Sequence, residues 1–171
     1  LSGKSYKYFN KCQNILDVAI LSSRLVEILF GFFEDSYIET VRVESPEVHI
    51  RESSFNHCKN LKSIDLKISK ITTIYERSFF ECESLTSIYI ESQSKINLLN
   101  RCFIGNKSLQ SFKAKSNEIN IGDDCFTNCS SLSSISILNT NSMKIGQNAF
   151  MSCQSLEVLK IRISSSIEIG N

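Results

Sequence analysis

A phenylalanine that recurs at an almost constant interval constrains this 171-residue chain more than any other feature of its sequence. Successive intervals are 23, 23, 24, 24, 23 and 24 residues. Self-similarity at a period of roughly 20–50 residues is typical of repeat architectures, in which each unit stacks on its neighbours. The anchors are Phe9, Phe32, Phe55, Phe79, Phe103, Phe126 and Phe150.

The residues that follow each phenylalanine repeat with it. Five of the seven positions three residues later are cysteine, and Asp35 and Asn106 occupy the other two. The positions six, nine and eleven residues after the phenylalanine are apolar in every copy. The unit is therefore F-x-x-C-x-x-L-x-x-I-x-I, followed by about eleven residues that carry one or two further apolar positions.

The I-x-I alternation predicts a short strand, and the spacing of three between Phe, Cys and Leu predicts a helical or 3₁₀ turn. One unit cannot bury its apolar residues alone, so we expect stacked units to form a solenoid with a parallel strand ladder. The prediction is one domain over residues 1–171, with about seven and a half units and a partial eighth over 163–171. Residues 22–33 carry surplus apolar side chains, and the sequence does not decide whether they form a short helix or a cap.

The stretch from Leu61 to Leu66, continuing to "SFFEC", resembles a leucine-rich repeat, and "KIGQNAFMSCQSLEVLKI" at Lys144 to Ile161 resembles the BspA-like, or Treponema pallidum-type, class. The small residue before the phenylalanine is alanine only at Ala149. This resemblance implies a binding module at the cell surface or secreted, used in adhesion to a protein or glycan partner. The alternative is a cytoplasmic scaffold or regulatory subunit, since leucine-rich repeats also serve inside cells.

The pair His57 and Cys58 has two interpretations. A histidine beside a cysteine could form a nucleophile and its base, which needs an exposed thiol of low pKa. The repeat favours architecture, because Cys58 falls in the cysteine column and other copies replace His57 with unrelated residues. We therefore predict no catalytic residue here and no enzyme.

Disulfides between neighbouring units are an alternative, because residues of adjacent coils approach closely enough to form one. The possible pairs are Cys58 with Cys82, Cys129 with Cys153, and Cys102 with Cys125. Buried reduced thiols are the preferred interpretation. The sequons at Asn106 and Asn128 would permit glycosylation in a secretory setting.

The outward residues of the strand ladder are the predicted site of function, because solenoids present extended binding surfaces. Charges alternate between neighbouring units where Arg42 precedes Asp65, and where Glu44, Lys67 and Glu91 follow one another, which predicts cross-strand pairs. The cations of the C-terminal half do not alternate and could receive an acidic protein surface or a sulfated glycan. The plainer interpretation is solvated lysine. The candidate partner-binding residues are Arg42, Tyr89, Lys113, Lys115, Lys160 and Arg162.

Other classes of function find little support in the composition. The net charge of +1 and a single aromatic residue among these cations argue against nucleic-acid binding. Paired C-x-x-C modules and Gly-rich phosphate loops are absent, so we predict no metal and no cofactor. Asp17, Arg24 and Glu27 interrupt the most apolar stretch, so no membrane insertion is expected of this segment. The chain ends inside a repeat, and exposed apolar columns predict end-to-end self-association or further repeats.

Overall fold

The computed structural model describes residue 9 and residues 12–170. Over these residues the fold is a β-solenoid with ten strands in one parallel sheet and no helix, which confirms the leucine-rich repeat solenoid. The strands are β1 (Asp17–Leu21), β2 (Val26–Ile28), β3 (Thr40–Ile50), β4 (Ser63–Ile74), β5 (Ser87–Ser92), β6 (Lys95–Leu98), β7 (Ser111–Lys115), β8 (Glu118–Ile121), β9 (Ser134–Ile145) and β10 (Val158–Ile169).

The predicted I-x-I segments form a first ladder of parallel strands. Its members are β1, the first halves of β3 and β4, β5, β7, and the first halves of β9 and β10. The residues nine positions after each anchor pair in register along it: Val18, Val41, Ile64, Ile88, Phe112, Ile135 and Leu159. In β4, β5, β7 and β9 both apolar residues of the motif point inward and are at most 2% exposed.

A second ladder runs beside the first, in a region where the sequence predicted only a loop. It contains β2, β6, β8 and the second halves of β3, β4, β9 and β10. The later apolar positions of each unit are its inward residues, and Ile96 and Ile119 are fully buried. Each unit therefore makes two strands, and the apolar core lies between the two ladders and the turn.

A column of hydroxyl side chains holds the corner between the two ladders. Ser45 donates to the carbonyl oxygens of Arg24 and Glu47, at 2.6 and 3.0 Å. Thr140 donates in the same way to Asn117 and Ser142, at 3.2 and 2.7 Å. Small hydroxyl residues satisfy the backbone carbonyls that a buried corner would otherwise leave without donors.

The turn around each phenylalanine is not a helix, although it keeps the i→i−3 hydrogen bonds that a 3₁₀ turn would have. Around Phe55, amide groups alternate between two kinds of acceptor. Phe55 and His57 donate to the next coil at Ser78 and Phe80, over 2.8 and 2.9 Å, whereas Cys58 donates back to Phe55 over 3.2 Å. A helix would direct every amide into its own segment, so bonding between coils excludes it.

Two residues of each turn make this path possible by adopting a left-handed backbone conformation. The first, two residues before the phenylalanine, has φ between 52° and 59° in Gly31, Ser53, Arg77, Arg101, Asp124 and Asn148. The second, two residues after it, has φ between 50° and 80° in Asp35, His57, Glu81, Gly105, Asn128 and Ser152. Asp, Asn, His and Gly tolerate this region better than most residues, which accounts for several of these choices.

The phenylalanine rings stack in one continuous column inside the turns. From Phe55 through Phe79 to Phe103 the centroids lie 4.9 and 5.2 Å apart, with interplanar angles of 4° and 10°. In the second copy the column residue is Phe33 and not the predicted anchor Phe32. Phe33 stacks on Phe55 at 5.0 Å and its amide bonds to the equivalent carbonyl, that of Ser54.

Each column phenylalanine marks one coil of the solenoid, and the described chain contains seven such coils. The shift to Phe33 moves the cysteine-column position from Asp35 to Ser36, which is 2% exposed. Residues 22–33, left open by the sequence, form β2 and the start of a turn. Ile167 and Ile169, assigned above to a partial eighth repeat, pair with Met143 and Ile145 and complete the second strand of the seventh coil.

The last coil leaves its apolar columns uncovered. Leu159 is 59% exposed, whereas its neighbour in register, Ile135, is 1% exposed. Ile169 is 64% exposed at the end of β10. End-to-end self-association through this face stays a prediction, which sedimentation over a range of protein concentrations can check.

Candidate binding surface

The outward face of the first ladder brings five of the six predicted partner-binding residues into two neighbouring rows, whereas Arg162 falls at a register shift. Because successive side chains of a strand point to opposite faces of the sheet, these side chains lie on the face turned away from the buried core. One row, in register across six strands, consists of Arg42, Asp65, Tyr89, Lys113, Ser136 and Lys160. The other consists of Glu44, Lys67, Glu91, Lys115 and Leu138. The order along the rows therefore follows the sequence alignment.

Arg42 lies at the far end of this surface and is already paired. Its Nη2 donates to Oε1 of Glu44, in the same strand, at 2.5 Å. That hydrogen bond raises the pKa of Arg42 and lowers the pKa of Glu44. The cross-strand pair with Asp65 predicted from the alternation is therefore replaced by a pair within β3.

Three other residues form a chain of polar contacts in the middle of the face. Tyr89 donates to Oε2 of Glu91 at 2.7 Å, and this hydrogen bond raises the pKa of Tyr89 to about 12. Lys115 donates to Oε1 of the same carboxylate at 2.6 Å. Of the cross-strand pairs predicted for this row, the one between Lys67 and Glu44 is present, with its charged atoms 3.8 Å apart. Lys115 is therefore neutralised by its neighbour, which the sequence analysis missed.

Three candidate cations are unpaired. Lys113, Lys160 and Arg162 are exposed, and no ion pair in the described part of the chain involves them. Lys113 and Lys160 stand on either side of Ser136 in one row, two strand spacings or about 10 Å apart. Arg162 lies where the register between β9 and β10 shifts. These three residues are called the cation face below.

The second ladder differs, because its outward cations lie beside carboxylates of neighbouring strands. Lys95 pairs with Glu118 at 2.6 Å, and Lys144 pairs with Glu168 at 2.8 Å. Arg51 pairs with the carboxylate of Glu27. Positive charge without a local partner is thus a property of the first ladder's C-terminal half more than of the second ladder.

The geometry around His57 and Cys58 is that of a turn. Cys58 is fully buried, and its Sγ donates to the carbonyl oxygen of Phe33 at 3.1 Å. Burial raises the pKa of the Cys58 thiol to about 11, which disfavours the thiolate that a nucleophile needs. His57 occupies a left-handed position of the turn, and its Nδ1 lies 3.6 Å from Oε2 of Glu81.

The cysteine column has a structural task that its periodicity alone did not reveal. Like Cys58, three more thiols donate to the carbonyl oxygen of the phenylalanine one coil earlier: Cys82 to Phe55 at 3.2 Å, Cys129 to Phe103 at 3.4 Å and Cys153 to Phe126 at 3.2 Å. Burial raises the pKa of all three thiols. A thiol is small and apolar but still carries a weak donor, which suits this position.

Asn106 performs the same task with an amide. Its Nδ2 donates to the carbonyl oxygens of Phe79 and Phe103 at 2.8 and 2.7 Å. Because Asn106 is fully buried, its sequon offers no accessible amide in the folded chain. The sequon of Asn128 is different, since that side chain is exposed on a turn.

Two other kinds of site are absent from the described ranges, residue 9 and residues 12–170. No group of three or more His, Cys, Asp and Glu side chains is arranged there to hold a metal ion. The same ranges contain no helix long and apolar enough to cross a membrane.

The stacked coils, parallel ladders and periodic columns define a leucine-rich repeat protein. The chain belongs to the BspA-type leucine-rich repeat family, whose model matches residues 5–103 and 94–171 in six copies. Searches of curated proteins and of solved structures found no match. Proteins of this family are generally non-enzymatic repeat scaffolds that serve in binding or adhesion, and they are commonly surface-associated in bacteria.

Proposed function

We propose that this chain is a non-catalytic binding module that presents the outward face of its first ladder to an anionic protein segment or glycan. The observation that carries the proposal is the cation face, whose three charges have no ion-pair partner in the described part of the chain. The family supports an adhesin-like role at the cell surface or after secretion.

The charge balance of this face favours an anionic partner. Two of the three carboxylates in its rows already accept from cations of the same face, since Glu44 pairs with Arg42 and Glu91 pairs with Lys115. The third, Asp65, lies two strands away from Lys113. An acidic partner would therefore meet Lys113, Lys160 and Arg162 without displacing a local ion pair. Complementary charge raises the rate of encounter and the specificity more than the affinity, and salt screens it. Tyr89 borders Lys113 in the same row and adds an aromatic surface.

The experiment measures retention on immobilised heparin, a sulfated glycan, and on immobilised polyglutamate, with neutral dextran as the blank. We expect the wild type to be retained on at least one anionic probe, at a strength that falls as salt rises. The triple variant Lys113→Glu, Lys160→Glu, Arg162→Glu should elute with the blank. The two probes distinguish a glycan from an acidic polypeptide.

A matched control separates the cation face from total charge. Arg24, Lys70 and Lys107 are also exposed and unpaired within the described residues, but they lie outside the rows of the first-ladder face. Their reversal to Glu changes the same residue types and the same net charge. If both triple variants lose retention equally, binding depends on net charge and not on the cation face. If neither variant loses retention, the assignment of binding to the cation face is contradicted.

A second candidate, a cytoplasmic scaffold or regulatory subunit, is favoured by the thiols. No disulfide joins the seven cysteines in the structure, and unpaired cysteines are usual in a reducing compartment. Thiol counting on protein from its native source, denatured without reductant, discriminates the two. Seven reactive thiols support the scaffold, and a disulfide contradicts it.

A further inference from the structure

Two cysteines lie outside the cysteine column and face each other. Cys102 and Cys125 each precede a column phenylalanine, in adjacent coils, and their Sγ atoms are 3.2 Å apart. Both side chains are fully buried. In earlier coils the same position holds Ser54 and Ser78, whose hydroxyls donate to backbone carbonyls, at 2.6 and 2.7 Å for the shortest bond of each.

The remaining cysteines make other contacts. The thiols of Cys58, Cys82, Cys129 and Cys153 each donate to a phenylalanine carbonyl of the preceding coil, which directs them into the turn. Cys12 has Ser36, and not a cysteine, at the matching position of the next coil. Cys102 and Cys125 therefore form the one cysteine pair in the described chain whose sulfurs are each other's recorded partner.

We propose that Cys102 and Cys125 close a disulfide between the fifth and sixth coils when the chain folds in an oxidising compartment. One thiolate attacks an oxidised glutathione-type disulfide and releases one reduced thiol. The second thiolate then attacks the mixed disulfide and releases another. Two S–H bonds are lost, one S–S bond forms, and the protons and the electron pair pass to the two glutathione thiols.

The location of the pair determines when the bond forms and what it constrains. Neither sulfur is accessible in the folded chain, so closure accompanies folding or a local separation of the coils. The loop between the two cysteines contains all of β7 and β8, including Lys113 of the cation face. The cross-link ties one complete coil to its neighbour, independently of whether the cation face binds a partner.

The test is refolding of the full chain in a glutathione redox buffer, followed by alkylation under denaturing, non-reducing conditions and peptide mapping by mass spectrometry. We expect one disulfide that joins the peptides of Cys102 and Cys125, with the other five cysteines alkylated. By the loop-closure model, the oxidised protein should unfold with an equilibrium constant about 300-fold smaller than that of the reduced protein. Seven alkylated thiols, or disulfides spread over other pairs, would overturn the proposal.

Two serine variants show whether any stabilisation comes from this pair. Cys102→Ser copies Ser54 and Ser78, and Cys58→Ser copies Ser36, so each replacement has a precedent in its own column. We expect Cys102→Ser to lose the stability difference between oxidised and reduced protein, whereas Cys58→Ser keeps it. The opposite pattern would assign the oxidation to the cysteine column. Circular dichroism under reducing conditions verifies that both variants fold.

Discussion

The turn and the strand face of this solenoid follow opposite rules. In the turn, the same contacts recur from coil to coil: a stacked phenylalanine, two left-handed residues and a donor to the phenylalanine carbonyl. On the first-ladder face, the outward residues change from Arg42 and Asp65 to Tyr89 and Lys113 in successive strands. Recurrence marks what every coil needs to stack, and variation marks where the surface can be adapted to a partner.

The histidine and cysteine at positions 57 and 58 illustrate this difference. Cys58 belongs to the recurring set because its thiol meets the carbonyl of Phe33, and His57 occupies a left-handed position that Asp35 and Glu81 fill in neighbouring coils. Their adjacency is a consequence of the turn's path. The variable cations of the strand face are the better candidates for function.

The largest expected effect of a change in the turn is on the phenylalanine stack. Phe79→Ala removes a fully buried ring between Phe55 and Phe103, and we expect it to lower the free energy of unfolding by about 3–5 kcal/mol. The control is Phe80→Ala, a neighbouring ring outside the column that is only partly buried. Urea unfolding measures both. Equal losses would show that the stack has no special contribution.

A smaller effect is expected at Asn106. Asn106→Val removes the donor that the carbonyls of Phe79 and Phe103 share. The Phe103 carbonyl keeps the Cys129 thiol as a donor, so the expected cost of about 1–3 kcal/mol comes from the buried Phe79 carbonyl, which loses its side-chain donor. Asn106→Cys restores the residue that other coils use there, so it should cost less. Chemical denaturation of the two variants checks the order, and a valine variant as stable as the cysteine variant would refute the donor role.

The smallest effect is expected on the strand face. Hydrogen bonds from Lys115 and Tyr89 lower the pKa of Glu91 below its ordinary 4.5. Its stabilising contribution is therefore present above pH 4.5 and is lost as pH falls through the lower folded pKa. Glu91→Gln should cost less than about 1 kcal/mol at neutral pH, because the pair is exposed, and nothing in strong acid. Unfolding curves at pH 7 and pH 2 test this, and a difference that persists at pH 2 would contradict it.

The sequence predicted the first ladder well because its apolar positions recur without exception from Val18 to Leu159. It missed the second ladder because the apolar positions there recur less regularly, as where Thr72 takes the place of an apolar residue in β4. It chose Phe32 over Phe33 because interval counting cannot separate adjacent phenylalanines. The distinction lies in the amide of Phe33 bonding to Ser54, which is a contact between coils.

The turn and the charge pairing were harder to predict for a related reason. A spacing of three side chains fits a helical turn as well as the left-handed path around Phe55, and the acceptors that decide between them belong to the next coil. Sequence rows placed Lys113 and Lys115 together as equivalent cations. Only side-chain geometry distinguishes Lys115, held by Glu91, from the unpaired Lys113.

The most direct test of the division between turn and strand face measures two properties on the same set of proteins: stability, and retention on the anionic probe, heparin or polyglutamate, that binds the wild type. The set is the wild type, the Lys113→Glu, Lys160→Glu, Arg162→Glu variant, and a turn variant, Cys82→Ser. The account predicts that the charge variant loses retention at an unchanged unfolding midpoint, whereas Cys82→Ser lowers the midpoint and keeps retention at temperatures where it is folded. A charge variant retained like the wild type, or a folded Cys82→Ser variant that no longer binds, would contradict it.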